Sequence, residues 1–335
     1  MATYKEIFGT NIEVLASDPA NPLQGQVWYN STDNVVKGLG FQTASWATGG
    51  NINLARHSAG GAATNTTSAL MFAGRGEPPL PKTADTESYN GSSWTEVSNM
   101  GTARYGLGSS GDSNTAALGF GGYITGGGGN FSGTESYNGT SWTGLSSVNT
   151  ARRNGPGGGT QTSALFMMAY ASPTTPGLVE SWNGTSWTET TDINSARTGG
   201  SVTGSSNTEI LAFGGESPTN PYTGLTESWN GSTWTEVGDL NTGRDRPNCG
   251  GTYTDAVVFG GRDSGGHLTA TETWNGTSWS TSPATMPSAQ SRMESGPMGT
   301  ATSAISAGGA NPVNGANVTQ EWSGAAPTTV TFTDS

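Results

Sequence analysis

The chain has 335 residues, of which 53 are Gly and 11% are charged, and its formal net charge is −12. The 13 basic residues form no run, and no stretch is apolar enough for a membrane span or a signal-peptide core, so we expect neither a nucleic-acid nor a membrane partner. The single cysteine, Cys249, excludes an internal disulfide framework and a cysteine-based zinc cluster. We therefore expect no cofactor and no metal site.

Residues 1–40 precede the repeated part of the chain. Gly25–Asn30 and Val35–Lys37 flank the polar segment Ser31–Asn34, which predicts a β-hairpin. The phrase from Ser17 to Asn30 resembles segments of structural proteins of tailed bacteriophages, notably marine ones. That resemblance implies that residues 1–40 attach the protein to other virion proteins.

From residue 41 onward, one phrase of the type Glu-Ser-aromatic-Asn-Gly-x-x-Trp recurs at intervals of 45 to 48 residues. Repeats of this length are typical of β-propellers, in which each repeat forms one blade of four antiparallel strands. Asn-Gly between two strands predicts a two-residue hairpin turn. The five copies are Glu87–Trp94, Glu135–Trp142, Glu180–Trp187, Glu227–Trp234 and Glu272–Trp279.

The repeat resembles the kelch family, which combines an apolar strand ending in Gly-Gly, a Glu-x-aromatic strand and a following Trp. The third copy has Ala169-Tyr170 where the others have Gly-Gly or Ala-Gly. The resemblance implies an all-β fold, a six-bladed kelch-like β-propeller over residues 41–335 with a short N-terminal extension. Trp46 stands before the first full repeat and Trp322 ends the last, so we expect the N-terminal strand to close the ring.

An arginine precedes the first strand of each repeat, and a glutamate begins the third strand. Both positions lie at the same end of a four-stranded meander, so we expect six Arg–Glu pairs that stabilise the fold. A ring of arginines that captures an acidic ligand is the alternative. The arginines are Arg56, Arg104, Arg152, Arg197, Arg244 and Arg292, and the glutamates include Glu321 in the last repeat.

The loops between the second and third strands differ in every repeat and lie at one end of the predicted propeller. Variable loops on a uniform frame are where such folds place recognition, although drift of solvent-exposed loops explains the variation equally well. Aromatic and imidazole side chains are preferred anchors in binding surfaces. The candidate ligand-binding residues in these loops are Tyr123, Phe131, Tyr222 and His267.

These features predict a virion protein, assembled in the host cytoplasm and then extracellular, whose tail-fibre or appendage propeller binds a glycan or protein on the host surface. A structural decoration or adaptor protein without receptor binding is the first alternative. A carbohydrate-active enzyme is the second, because a carboxylate pair across blades is invisible in sequence. We expect no enzyme activity, and homo-oligomerisation stays open.

Overall fold

The computed structural model describes residues 12–23, 25–76, 82–124, 129–171, 177–292, 296–311, 313–314 and 316–332. These residues form strands and turns without a helix, so the predicted all-β class is confirmed. No helix that could span a membrane is found in the described ranges. Contacts divide the chain into one unit of residues 1–44 and 324–335 and another of residues 45–323, whereas the sequence prediction divides it after residue 40.

The first unit is a four-stranded sheet that joins both ends of the chain. Asp18 accepts hydrogen bonds from the side chains of Asn30, Lys37 and the buried Trp28, at 2.7, 3.0 and 3.1 Å. Its strands, in spatial order, are Glu13–Leu15, Val27–Asn30, Val35–Gln42 and Ala326–Phe332.

The second unit contains six antiparallel four-stranded sheets, which we number 1 to 6. Each has a first strand of small residues, a second apolar strand and a third strand, which carries the Glu phrase in sheets 1 to 5. The fourth strand begins at the recurring Trp in sheets 1 to 5. The strands of sheets 1 to 3 are Gly60–Asn65, Ser68–Phe72, Thr86–Tyr89 and Trp94–Val97; Gly108–Ser113, Ala116–Phe120, Thr134–Tyr137 and Trp142–Leu145; and Gly157–Gly159, Ala164–Phe166, Val179–Trp182 and Trp187–Thr190.

Sheets 4 to 6 follow the same plan, and the fourth strand of sheet 6 comes from the beginning of the unit. Ser45–Thr48 pairs there with the third strand, and Trp46 lies opposite Trp322. The strands are Ser201–Ser206, Glu209–Phe213, Thr226–Trp229 and Trp234–Glu236; Asn248–Gly251, Ala256–Phe259, Thr271–Trp274 and Trp279–Thr281; and Gly299–Thr300, Ser303–Ala307, Thr319–Ser323 and Ser45–Thr48.

Short ribbons of two-residue strands follow the second strands of three sheets, and in sheet 1 the linker before the first strand pairs with the residues after the second strand. They are Arg56–His57 with Arg75–Gly76, Tyr123–Ile124 with Gly129–Asn130, Arg262–Asp263 with Gly266–His267, and Ala310–Asn311 with Val313–Asn314.

The Asn-Gly turns differ from the sequence prediction. Asn138 is not in the left-handed region, whereas Gly139 has φ 89°, and the Asn138 side chain accepts the backbone N–H groups of Thr140 and Ser141. Four residues therefore make the turn, because the asparagine side chain replaces a backbone acceptor. As a result Trp142 pairs with Tyr137.

The fourth-strand tryptophans connect neighbouring sheets. Trp142 of sheet 2 donates from Nε1 to Thr86 of sheet 1 at 3.1 Å, and its ring lies 4.7 Å from Phe72. Corresponding bonds join Trp187 to Thr134, Trp279 to Thr226, Trp46 to Thr271 and Trp94 to Thr319. These rings fill the space between sheets.

The first strands of the sheets contact one another in chain order from sheet 1 to sheet 6, and the first strand of sheet 6 contacts that of sheet 1. Gly and Ser allow this close approach. A Cβ added at Gly157, for example, would collide with the ring of Phe120 and the carbonyl of Ser109 in sheet 2.

Candidate functional site

Five of the six predicted Arg–Glu pairs are present, and all five are internal to the fold. Each arginine is 0% exposed and lies between 2.5 and 3.3 Å from its glutamate. In sheets 1 to 4 a guanidinium nitrogen also donates to a carbonyl near the end of the second strand, as Arg104 does to Gly119 at 3.2 Å. The pairs are Arg56–Glu87, Arg104–Glu135, Arg152–Glu180, Arg197–Glu227 and Arg244–Glu272.

The glutamates of these pairs hold the linkers that lead from one sheet into the next. Glu227 accepts the backbone N–H groups of Asn194 and Ser195 at 2.9 and 3.2 Å, and Asn194 reaches from there to the carbonyl of Trp234 at 3.2 Å. Removal of the carboxylate would leave a buried guanidinium without its counter-ion and two partly buried backbone N–H groups without an acceptor. The arginines of these five pairs are therefore not available to an external ligand.

The sixth predicted pair, between Arg292 and Glu321, is wrong. Gln290 takes the place of the buried arginine and Gln320 that of the glutamate, with 2.7 Å from Gln320 Nε2 to Gln290 Oε1. Glu321 lies one position further along and accepts a hydrogen bond from the Tyr89 hydroxyl at 2.6 Å. Arg292 is thereby left outside the internal set, and no carboxylate pairs with it among the described residues.

The linkers before all six first strands converge on one cavity of about 60 Å³. One residue from each linker has a left-handed backbone, with φ between 51° and 65°, and we call these six the cavity set. Two of the six are arginines. The cavity set consists of Ser58, Gly106, Asn154, Gly199, Arg246 and Arg292.

Backbone hydrogen bonds join the cavity set residue to residue. Arg246 donates to the carbonyl of Gly199 at 2.6 Å, Arg292 to that of Arg246 at 3.2 Å, and Ser58 to that of Arg292 at 2.8 Å. Gly106 and Asn154 continue the series at 2.8 and 2.7 Å. The backbone around the cavity is thus fixed by hydrogen bonds. The side chains at these positions differ, from the hydrogen of glycine to the guanidinium group of arginine.

Two further sets of residues surround the cavity set at constant backbone positions. The second set immediately precedes the cavity set in sequence, and each member forms a β-bridge with a member of the third set. The six bridged pairs are His57–Arg75, Tyr105–Tyr123, Arg153–Tyr170, Thr198–Glu216, Asp245–Arg262 and Ser291–Ala310. We call the three sets together the cavity face.

One side of the cavity face is a continuous strip of aromatic rings and guanidinium groups. Arg75 lies 5.6 Å from the ring of Tyr105, which lies 5.3 Å from that of Tyr123. Arg153 is placed between two rings, 4.6 Å from Tyr123 and 4.8 Å from Tyr170. The three tyrosines are half-buried, so one part of each ring faces solvent. We call these five residues the Tyr–Arg strip.

Positive charge accumulates on the cavity face, contrary to the expectation from the sequence that basic residues do not cluster. The three sets contain five arginines and two carboxylates. Asp245 is fully buried and accepts from Arg262 Nε at 2.8 Å, with Arg246 Nε 3.4 Å away. The face is thus cationic in a chain whose net charge is −12.

The pKa values of nearby groups reflect this excess of positive charge. Burial, together with the charges of Arg292, Arg75 and Arg246, lowers the pKa of His57 to about 4. Burial and the charges of Arg246, Arg262 and Arg75 also lower the pKa of Arg292. Cations at this site are therefore held near one another at an energetic cost, which a bound anion would reduce.

The structure places one of the four predicted ligand-binding residues on the cavity face and a second one in contact with it. Tyr123 belongs to the Tyr–Arg strip, and His267 Nδ1 lies 3.0 Å from the hydroxyl of Ser291. Phe131 instead covers the buried Arg104, whose guanidinium is 5.1 Å from the ring. Tyr222 is half-buried in its loop and belongs to none of the three sets.

Parts of the predicted recognition loops lie outside the described residues. These parts are residues 77–81, 125–128, 172–176, 312 and 315. Sequence reasoning missed Arg75, Tyr105, Arg153, Tyr170 and Arg246. The usable signal was their fixed offset from the repeated arginine and from the glycine pair. In sheet 3 the prediction that Ala169-Tyr170 replaces the glycine pair is wrong by one residue: Met168 and Ala169 take those positions, and Tyr170 follows them as Tyr123 follows Gly122.

The described part of the chain contains no group of three or more His, Cys, Asp or Glu side chains that could hold a metal ion. Cys249 is fully buried, and its thiol donates to the carbonyl of Val202 at 3.2 Å. No protein-family model and no curated protein matches the chain.

Proposed function

We propose that residues 45–323 form a closed six-bladed β-propeller that works as a binding module. The support is the cyclic order of contacts among the first strands and the tryptophan bond from sheet 1 back to sheet 6. In this arrangement the cavity lies on the central axis, and the strand Ser45–Thr48 completes the last blade. A ring closed in this way leaves no long unpaired edge among its blades.

The observation that supports a binding function is that the internal contacts repeat from sheet to sheet, whereas the side chains of the cavity face differ. The internal pairs, tryptophans and turns repeat from sheet to sheet, whereas the equivalent positions of the cavity face carry His, Tyr, Arg, Thr, Asp and Ser in the second set alone. Packing does not require this diversity, because the backbone there is the same in each sheet. Variable side chains on a rigid frame are an arrangement suited to recognition.

The setting that we propose is a tail fibre or other appendage of a bacteriophage virion, with the cavity face directed to a glycan or protein of the host surface. This setting rests on the resemblance of Ser17–Asn30 to phage structural proteins. The Tyr–Arg strip supports a glycan as ligand, because planar rings and guanidinium groups bind sugar faces and hydroxyls. An adaptor that contacts other virion subunits through the same face is the competing function.

The test is a glycan array, followed by adsorption of the labelled protein to cells that carry the bound glycans. We expect defined array signals that fall at least tenfold in the variant Tyr105→Ser/Tyr170→Ser, as for loss of two binding anchors. The matched control is Ser92→Thr/Ser232→Thr, which changes exposed turns elsewhere in the repeats. An absence of glycan or cell binding, together with assembly of the chain onto purified virion subunits through this face, would favour the adaptor.

A further inference from the structure

The proposed function leaves open which chemical group the cavity itself takes. Its walls come from six linkers, and the two longest side chains that line it are Arg246 and Arg292. Arg292 makes no side-chain hydrogen bond or ion pair within the described residues, and Arg246 Nε lacks a hydrogen bond. Arg246 Nε also lies 3.4 Å from the carboxylate of Asp245, so the unused donor capacity is mainly that of Arg292, and both guanidinium groups line a half-open cavity.

The neighbouring groups make this space attractive to an anion. Arg75 and Arg246 act on both His57 and Arg292, and Arg262 also acts on Arg292. The negative groups are Asp245, whose carboxylate is engaged by Arg262 and lies 3.4 Å from Arg246 Nε, and Glu216 of the third set. Four cations thus surround the cavity against two carboxylates, and guanidinium groups match the planar geometry of carboxylates and the oxygens of sulfate or phosphate.

Size decides how much of a ligand can enter. A cavity of about 60 Å³ exceeds the roughly 10–15 Å³ that one water needs, so it has room for a few waters or for one small anionic group. The Tyr–Arg strip begins one residue from the cavity wall, because Tyr105 precedes Gly106 and Arg153 precedes Asn154.

We propose that the cavity face binds an acidic glycan, with a carboxylate, sulfate ester or phosphate ester held by Arg246 and Arg292 and the sugar stacked on the Tyr–Arg strip. This assignment rests on the proposed glycan-binding function and names the ligand class. Arg292 differs from the internal arginines, whose charges are neutralised by glutamates, because no carboxylate pairs with it among the described residues. Arg246 shares the single carboxylate of Asp245 with Arg262.

The two histidines of the chain allow the anion site to be tested without an identified host. His57 and His267 both sense Arg292, so an anion in the cavity must raise their pKa values. Proton NMR of the two imidazole rings is followed against pH, with His267→Asn used to assign the signals. The probes are sodium sulfate, an oligosaccharide that contains glucuronic acid, and a neutral oligosaccharide of equal length.

We expect the acidic oligosaccharide to raise the pKa of His57 by about one unit and to bind at least tenfold more tightly than free sulfate. The neutral oligosaccharide should bind at least tenfold more weakly. The variant Arg246→Asn/Arg292→Asn should lose the pKa response while its melting temperature is retained, since Asn154 occupies the equivalent left-handed position naturally. The matched control is Lys37→Gln, which removes a positive charge that pairs with Asp18 and Asp33 in the other unit.

Each failure has a distinct meaning. Equal affinity for the neutral and acidic oligosaccharides, with binding still dependent on the tyrosines, would overturn the anion site and leave the proposed glycan-binding function standing. Sulfate or a glutamate peptide that binds as tightly as the acidic oligosaccharide would overturn the glycan assignment. An unchanged titration of both histidines with every probe would overturn the anion site.

Discussion

Gln320 donates from Nε2 to Oε1 of Gln290 across 2.7 Å, at the positions where the five other sheets hold a buried Arg–Glu pair. The neutral pair keeps part of the same network, because Gln320 Oε1 also accepts the backbone N–H of Ser288 at 2.9 Å. Sheet 6 therefore dispenses with a buried ion pair while retaining its hydrogen bonds to the linker. The charge in the other sheets is thus one of two solutions to the same structural problem.

Loss of one partner from a buried ion pair should destabilise the fold strongly. For Arg197→Ala we expect the free energy of unfolding to fall by about 3–5 kcal/mol, because Glu227 remains buried without its partner. The double variant Arg197→Gln/Glu227→Gln, which copies sheet 6, should recover a large part of that loss. Urea unfolding followed by tryptophan fluorescence measures both, and a double variant as unstable as the single one would contradict this view.

Acid should destabilise the protein through His57. Its pKa is about 4 in the folded chain and near 6.5 when unfolded, so between these values the unfolded state binds more protons. The stability that neutral His57 contributes is therefore present above pH 6.5 and is lost as the pH falls towards 4, by at most about 1.4 kcal/mol per pH unit.

The variant His57→Gln should show a flatter dependence of stability on pH over this window. Urea unfolding at pH 7.5 and pH 4.5 gives the comparison, and His267→Gln is the control, because that imidazole is more exposed. Identical pH dependence in wild type and His57→Gln would show that His57 is not held neutral by the fold.

The strand Ser45–Thr48 should be required for full stability. Trp46 donates to Thr271 at 3.0 Å and packs 5.0 Å from Phe259, so its loss removes contacts between sheets 5 and 6 as well as one strand. Deletion of residues 1–48 should lower the melting temperature by several degrees relative to deletion of residues 1–44, which retains the strand. Equal melting temperatures of the two truncated chains would exclude a structural role for this strand.

The thiol of Cys249 should be inert in the native protein. Burial raises its pKa to about 12, and the side chain is fully enclosed. We expect no reaction with a disulfide reagent at pH 8 over an hour, and one equivalent of reaction after denaturation in guanidinium chloride. Rapid modification of the native chain would show that the first strand of sheet 5 opens readily.

The sequence was sufficient to predict the frame of the second unit. The Glu phrase, the tryptophan and the arginine recur with fixed spacing, so their pairing follows from the meander. The predicted pair of Arg292 and Glu321 in sheet 6 is wrong because the spacing there differs. Glu321 directly precedes Trp322, whereas Glu87 lies two residues before Tyr89. Alignment on the aromatic residue would have placed Gln320 at the glutamate position.

The cavity face was beyond sequence reasoning for a physical reason. Arg75, Tyr105 and Arg153 come from three different repeats, and only the arrangement of the sheets brings them within contact distance. Arg246 and Arg292 adopt left-handed backbone conformations. An arginine in a sequence does not indicate such a conformation, whereas a glycine, as at the equivalent positions Gly106 and Gly199, does. The repeats can be recognised in the sequence because they are similar to one another. The cavity face consists of the positions at which the repeats differ, so no shared pattern marks it.

Hydroxyl-radical footprinting of the protein, with and without a glycan identified on the array, tests directly whether the cavity face binds the ligand. Oxidation of each tyrosine is quantified by mass spectrometry. We predict that the ligand protects Tyr105, Tyr123 and Tyr170 and leaves Tyr29 of the first unit unchanged. Protection confined to Tyr29, or to the exposed turns that contain Asn90 and Asn230, with the three strip tyrosines unchanged, would contradict the assignment of recognition to the cavity face.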